Sequence, residues 1–254
     1  MVTVQSTLSA GVLRVGLARS EKKNALSLSM YEALNAAFDQ AQREHEVKVL
    51  LIHGLPQVFT AGNDLEDFLK QPMDEYSPVL GFLRRLATCE KPLMAAVNGF
   101  AVGIGTTLLL HCDLVYAADD AKFALPFVNL GLCPEAGSSW LLPRLAGHAQ
   151  AAEKLFFGEA FTADEALHIG LVNKVLPPAE VLPYALARAE RLAQQPAASL
   201  RATKRLLKAE EQTALLARMD EEAELFRQML TSPAAQEAMS AFLEKRKPDF
   251  SKWE

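Results

Sequence analysis

Three stretches of the 254-residue chain combine small residues with a polar group in the way a site for chemistry requires. The first, Phe59-Thr60-Ala61-Gly62-Asn63-Asp64-Leu65, follows the apolar run 47–52. Small side chains let a backbone approach a ligand, while Asp64 equally suits the N-cap of a helix over 65–70. The second, Asn98-Gly99-Phe100-Ala101-Val102-Gly103-Ile104-Gly105-Thr106-Thr107, leads from a buried strand into an apolar helix over 106–111. The first amides of a helix lack internal acceptors and carry the positive end of its dipole. This junction therefore reads either as helix–strand packing or as an anion hole. It is not a dinucleotide fingerprint, because Leu108 stands where glycine or alanine must follow Gly105, and no Walker lysine is present. The third is Leu125-Pro126-Phe127-Val128-Asn129-Leu130-Gly131-Leu132-Cys133-Pro134-Glu135-Ala136-Gly137-Ser138-Ser139. Its carboxylate, Glu135, either decorates the first turn of a helix over 140–145, where acids are favourable, or serves the chemistry of a site.

The elements that must position these junctions alternate in type. Residues 12–17 read as a strand paired with 2–8 across a turn at Ser9-Ala10-Gly11. From Ser29 the period becomes helical: Met30, Leu34, Ala37, Phe38 and Ala41 share a face, and Ser29 with Glu32 forms a capping box. The short apolar runs 47–52, 92–97 and 114–118 are those of strands buried on both faces. Buried strands separated by helices predict an α/β fold with a mostly parallel core. Beyond about residue 140 the strand signal fades. Thr162 and Glu165 form a second capping box, Gly170 stops that helix, and 171–176 is one more short strand. Pro177-Pro178 opens a helical tail that breaks at Gln195-Pro196, and Ser232-Pro233 starts its last helix. The expected division is an α/β core over 1–195 and a helical region over 196–254, too thin for its own core, that packs on the body or on a neighbouring subunit.

Composition narrows the function. Half of the residues are hydrophobic and the formal charge is −5, which excludes a disordered tail protein and a nucleic-acid binder relying on global charge. A local basic patch for one anionic ligand stays open. Three cysteines without a CxxC pair argue against a disulfide framework or zinc knuckle and for a reducing compartment. The histidines lack metal-ligand spacing, and His111 reads as a satisfied core residue. With no signal-like leader, no bilayer-length apolar stretch and no peroxisomal tripeptide at Ser251-Lys252-Trp253-Glu254, the expectation is a soluble cytoplasmic protein that does not engage membranes.

Taken in order, Glu21-Lys22-Lys23-Asn24-Ala25-Leu26-Ser27, the first two junctions, Cys112-Asp113-Leu114-Val115 and Ala241-Phe242-Leu243-Glu244-Lys245-Arg246-Lys247-Pro248 resemble the crotonase, or enoyl-CoA hydratase/isomerase, superfamily. The resemblance implies a crotonase-like spiral of ββα units with a C-terminal helical trimerisation region, and a homotrimer or dimer of trimers. It places the oxyanion-hole amides on Asn63 and on Ile104, where relatives often carry glycine. That hole holds the thioester oxygen of an acyl-CoA as it becomes an enolate. The two glutamates of the family's hydratases fall on Thr107 and Phe127, neither of which ionises, so water activation and α-proton handling lack their groups. Glu135 instead occupies the position of the single glutamate of the peroxisomal-type Δ3,Δ2-enoyl-CoA isomerases. The match runs through Pro126-Phe127, Leu130-Gly131, Pro134-Glu135 and Ser138-Ser139. A 1,3-proton shift requires one base, and Phe127 in the acyl pocket leaves less room for water.

The same resemblance assigns CoA contacts to Lys22, Lys23, Ala61, Asp64 and Leu65. Phe226 and Lys245 are implied to come from a neighbouring subunit that closes over the adenine end. Solvated surface charge is the alternative for the lysines, and core packing for Phe226. CoA arrives as part of the substrate, with neither a metal nor a redox cofactor expected. Two rival expectations are another acyl-CoA reaction through the same enolate, such as weak hydration, and a non-catalytic acyl-CoA-binding module.

Overall fold

The computed structural model describes residues 3–66, 77–210 and 212–251. Val2, the 67–70 part of the helix expected over 65–70, and residues 252–254 lie outside them. In chain order the strands are β1 (Val4–Ser9), β2 (Val12–Leu17), β3 (Val49–His53), β4 (Val58–Thr60) and β5 (Leu93–Val97). They continue with β6 (Phe100–Val102), β7 (Leu114–Ala118), β8 (Lys122–Ala124), β9 (Phe161–Thr162) and β10 (Lys174–Leu176). The helices named below are α1 (Leu28–Arg43), α2 (Pro78–Thr88), α3 (Ile104–Thr107), α4 (Ser138–Ala146), α5 (His148–Phe157) and α6 (Ala163–His168). The tail adds α7 (Pro178–Ala193), α8 (Ala197–Lys208), α9 (Gln212–Leu230) and α10 (Pro233–Leu243).

A larger sheet runs β1-β2-β3-β5-β7-β10, and a smaller one β4-β6-β8-β9. The hairpin β1–β2 is antiparallel, and Ala10 and Gly11 between its strands both have positive φ, as two-residue hairpin turns favour. Strands β2, β3, β5, β7 and β10 pair in parallel. β3 and β5 are buried along almost their whole length, which explains their uninterrupted apolar composition. One path repeats: β3 to β4, β5 to β6, β7 to β8, each time from the larger sheet to the smaller, before a helical or 3₁₀ segment returns the chain. This is the expected ββα spiral.

Several boundaries differ from expectation. α1 is capped by Ser27, whose hydroxyl accepts from Met30 N–H, and Ser29 lies inside the helix. The reason lies in the preceding residue: Leu26 is anchored in a bridge to Asn63, so helical geometry starts directly after Ser27. The helix expected over 106–111 begins at Ile104 and tightens to 3₁₀ over Leu108–His111. β10 covers only the end of 171–176, because Leu171 and Val172 donate back to Ala166 O. The Thr162–Glu165 capping box and the Ser232 cap with Pro233 at its first helical positions both form as expected. From the helical region, Leu215, Met219, Phe226, Ala235 and Met239 join the same buried cluster as the sheets, so this region packs on the body. Among the described residues no helix is long and apolar enough to cross a membrane.

Candidate active site

The three junctions meet because β4, β6 and β8 are parallel neighbours, with Val58 opposite Phe100 and Phe100 opposite Lys122. Each junction follows the carboxyl end of its strand, the edge at which α/β sheets open ligand crevices. Asn63, Ile104 and Phe127, one from each junction, line a common cavity of about 910 Å³.

Two lining residues, Asn63 and Ile104, have backbone donors with no acceptor among the described residues. The parallel bridge at Asn63 uses Gly62 O and Asp64 N–H, both bonded to Leu26, and leaves out the Asn63 N–H. At the second junction Gly103 N–H donates to Ala124 O, and Thr106 and Thr107 N–H return to Gly103 O. Among the described residues none accepts from Ile104 N–H. The two junctions touch through Gly62, which has φ of 94° and whose Cβ, if it had one, would lie 2.9 Å from Val102 O. Any larger residue would push them apart and strain the left-handed backbone. The Tyr31 hydroxyl, on the buried face of α1, donates to the Asn63 side-chain oxygen and so ties the first junction to that helix.

Glu135 is buried and is not among the lining residues of this cavity. Its Oε1 accepts from the Thr107 hydroxyl at 2.5 Å. Burial raises its pKa from 4.5 to about 8; the Thr107 bond opposes the rise and the charge of Glu222 adds to it. The Tyr31 hydroxyl is likewise raised, by burial and then by the charge of Glu135, which places it in electrostatic reach of that carboxyl. The two carboxylates that line the cavity itself are both engaged: Asp64 pairs with Arg19 at 2.8 Å and Glu66 with Lys22 at 3.1 Å. Among the described residues no cluster of three or more His, Cys, Asp or Glu side chains is arranged to hold a metal ion.

Lys22, Lys23, Ala61, Asp64 and Leu65 stand together on the cavity wall. Asn24 holds this edge. Buried at φ of 55°, it donates to Leu17, Val58 and Phe59 carbonyls, while its own side-chain oxygen accepts from Arg19 N–H. Replacing Asn24 with Ala removes a buried donor from three carbonyls, of which Val58 O keeps Leu55 N–H, and leaves alanine in a left-handed conformation. The expected loss is about 2–4 kcal/mol of stability, read by denaturant unfolding. Phe226 is buried and also lines this chain's own cavity, so core packing and a site wall are one position. Within this chain Lys245 is not a lining residue; Arg246 and Pro248 are. Lys245 takes the left-handed turn after α10, and Arg246 folds back to donate to Ala241 O and pair with Glu237.

The residues that sequence reading passes over are Tyr31, Arg246 and Glu222, with Thr107 counted only as a missing acid. Tyr31 and Glu222 carried a signal, since each places a polar group on an otherwise apolar helix stripe. Arg246 carried none.

Two unpaired amides beside a cavity suit an oxygen that gains negative charge as a neighbouring C–H ionises. Together with the ββα spiral, such a pair suits an enzyme that holds an oxyanion. Residues 7–253 match the family model described as enoyl-CoA hydratase/isomerase, and the chain belongs to that family, within the crotonase superfamily. It is similar to 2,3-dehydroadipyl-CoA hydratase of Escherichia coli (strain K12), 36% identical over 94% of both chains. Enoyl-CoA delta isomerase 2 of Rattus norvegicus is 35% identical over 95% of this chain and 63% of its own length. The crystal structure of an enoyl-CoA hydratase/isomerase from Pseudoalteromonas atlantica T6c superposes with a TM-score of 0.94 at 37% identity, covering 98% of this chain and 100% of that one.

Proposed function

We propose that the enzyme moves the double bond of a 3-enoyl-CoA to the 2-trans position, with Glu135 as its single acid/base. The carboxylate removes a C2 proton, which both the thioester and the double bond acidify. The electron pair enters a dienolate whose oxygen is held by the Asn63 and Ile104 amides. The same carboxyl, now protonated, returns that proton to C4, so no atom or electron is gained or lost and the step itself calls for no cofactor. The observation that carries this reading is the Thr107–Glu135 pair: a buried carboxyl without a cationic partner among the described residues, bonded to the helix that Ile104 opens. Thr107 and Phe127 leave a hydratase without its two acids, and the rat relative's name points the same way. The Escherichia coli relative's name favours hydration as the second reading.

The reading requires the acyl end to pass Asn63 and Ile104 into the layer that holds Glu135. CoA itself then lies along Lys22, Lys23, Ala61, Asp64 and Leu65, with Phe226 closing the cavity. Side-by-side assays with 3-enoyl-CoA, and with 2-enoyl-CoA in water, test the choice. Isomerisation is expected to be faster, and faster hydration overturns it. The pH profile gives a further expected result. A base with a pKa of about 8 must lose its proton first, so kcat/KM rises tenfold per pH unit and levels off above about pH 8. A plateau reached below pH 6 would exclude a base whose pKa is raised in this way. We further propose a cytoplasmic homotrimer or dimer of trimers. The exposed Leu206 and Leu207 on α8 supply an apolar face for such contacts, and light scattering on the purified protein reads the mass.

A further inference from the structure

α9 carries its buried residues at Leu215, Met219, Glu222 and Phe226, one helical stripe on which Glu222 is the only charge. That carboxylate is directed at the turn after Glu135. Its Oε2 accepts from Gly137 N–H at 2.5 Å, and its Oε1 from Ser139 N–H at 3.0 Å and from the Ser139 hydroxyl at 2.5 Å. Ala136 and Gly137 both have positive φ, and a Cβ on Gly137 would lie 2.4 Å from Leu215 Cδ1, so α9 rests directly on this turn. From the other side Ser138 donates its N–H and hydroxyl to Glu135 O, and His111 Nε2–H donates to Ala136 O at 2.7 Å.

We propose that Glu222, contributed by the C-terminal helical region, is a positioning residue for the catalytic carboxyl: it clamps the 136–139 turn that carries Glu135 and sets a second negative charge beside it. The proposal rests on the reading of Glu135 as the acid/base. Its physical content is a like charge held by three hydrogen bonds at the start of α4, where a negative charge is favourable. The groups facing Glu135 are Thr107 on α3, Tyr31 on α1, Cys133 on its own loop and Glu222 on α9, with Arg218 behind Glu222. His111 has a pKa lowered to about 4 by burial and is neutral in the working range. Burial is the main cause of the raised Glu135 pKa and the Glu222 charge adds to it; burial also raises the pKa of Glu222 itself, against the bonds from Ser139 and Gly137.

Glu222→Gln keeps the size, removes the charge and leaves one acceptor where there were two. The expected result is a kcat/KM pH limb displaced downward by roughly one unit, with kcat reduced about tenfold and KM little changed. Ser139→Ala removes part of the clamp and leaves the charge, so kcat falls while the limb stays in place. A folded Glu222→Gln protein with an unmoved limb overturns the proposal. A direct readout needs neither variant to fold and no turnover: carboxyl NMR of the wild-type protein labelled with 13C-glutamate, the Glu135 signal being assigned through Glu135→Gln. That signal is expected to respond at two pH values, its own and that of Glu222; a single-step response overturns the coupling. If Glu135→Gln keeps full turnover, the reading of Glu135 as the acid/base fails, but the titration still decides whether Glu222 acts on Glu135.

Discussion

Glu135→Gln is expected to lower isomerase turnover by roughly 10³-fold, within the 10²–10⁴ contributed by a positioned acid–base group, while CoA affinity stays close to wild type. Glutamine keeps the shape of the side chain and an oxygen for the Thr107 hydroxyl, so the loss reports the proton carrier and not the packing. No lining carboxylate stands ready to replace it, since Asp64 and Glu66 are held by Arg19 and Lys22. CoA affinity is expected to hold because Lys22, Lys23 and the residues beside them line the cavity, whereas Glu135 does not. Turnover that survives the substitution would mean that another group moves the proton.

The same variant has a thermodynamic signature with a definite sign. Glu135 holds its proton more tightly in the native state, where its pKa is about 8, than in the unfolded chain, where it is near 4.5. Its contribution to stability is complete below pH 4.5 and is lost as pH rises through about 8. Glutamine does not titrate. The melting temperature of Glu135→Gln relative to wild type should therefore climb between pH 5 and pH 9, and a constant difference would show that Glu135 is ionised throughout.

The second large effect is expected at Ile104. Proline at this position deletes the N–H assigned to the thioester oxygen and should reduce kcat by about 10²–10³, equivalent to about 2.7–4 kcal/mol. Ile104 is the first residue of α3, and the first helical position accepts proline because its amide has no intrahelical acceptor to lose. Gly103 before it lacks the Cβ that would clash with the proline ring. Replacing Ile104 by its α-hydroxy acid removes the same hydrogen and keeps the side chain, which separates the lost donor from the lost sec-butyl packing of a buried residue. If both variants fold and turn over at the wild-type rate, the Ile104 amide does not hold the developing charge.

Much of the frame is local and was therefore legible. The runs at β3, β5 and β7 are apolar because both faces are covered, and the Thr162–Glu165 box and Ser232 cap involve residues three apart. Where local rules offered two answers, distant contacts chose. Ser27 and Ser29 are both fit to cap α1, and the bridge from Leu26 to Asn63 selects Ser27. Lys245 and Arg246 are adjacent cations, and the left-handed turn at Lys245 leaves Arg246 on the cavity wall.

The amino-acid string by itself determined the alternation of buried strands and helices, the glycine-bearing ends of β4 and β6, and the presence of one carboxyl after Pro134. Tertiary structure alone decided which groups meet. Parallel pairing of β4, β6 and β8 sets three separate loops side by side, Thr107 reaches Glu135 across 28 positions, and Glu222 reaches Gly137 across 85. Hydrogen bonds and charge interactions act over a few ångströms of space, whereas propensity and periodicity register only neighbours along the chain. The proton affinity of Glu135 comes first from the exclusion of water around it, with the charge of Glu222 adding to it and the Thr107 bond opposing it.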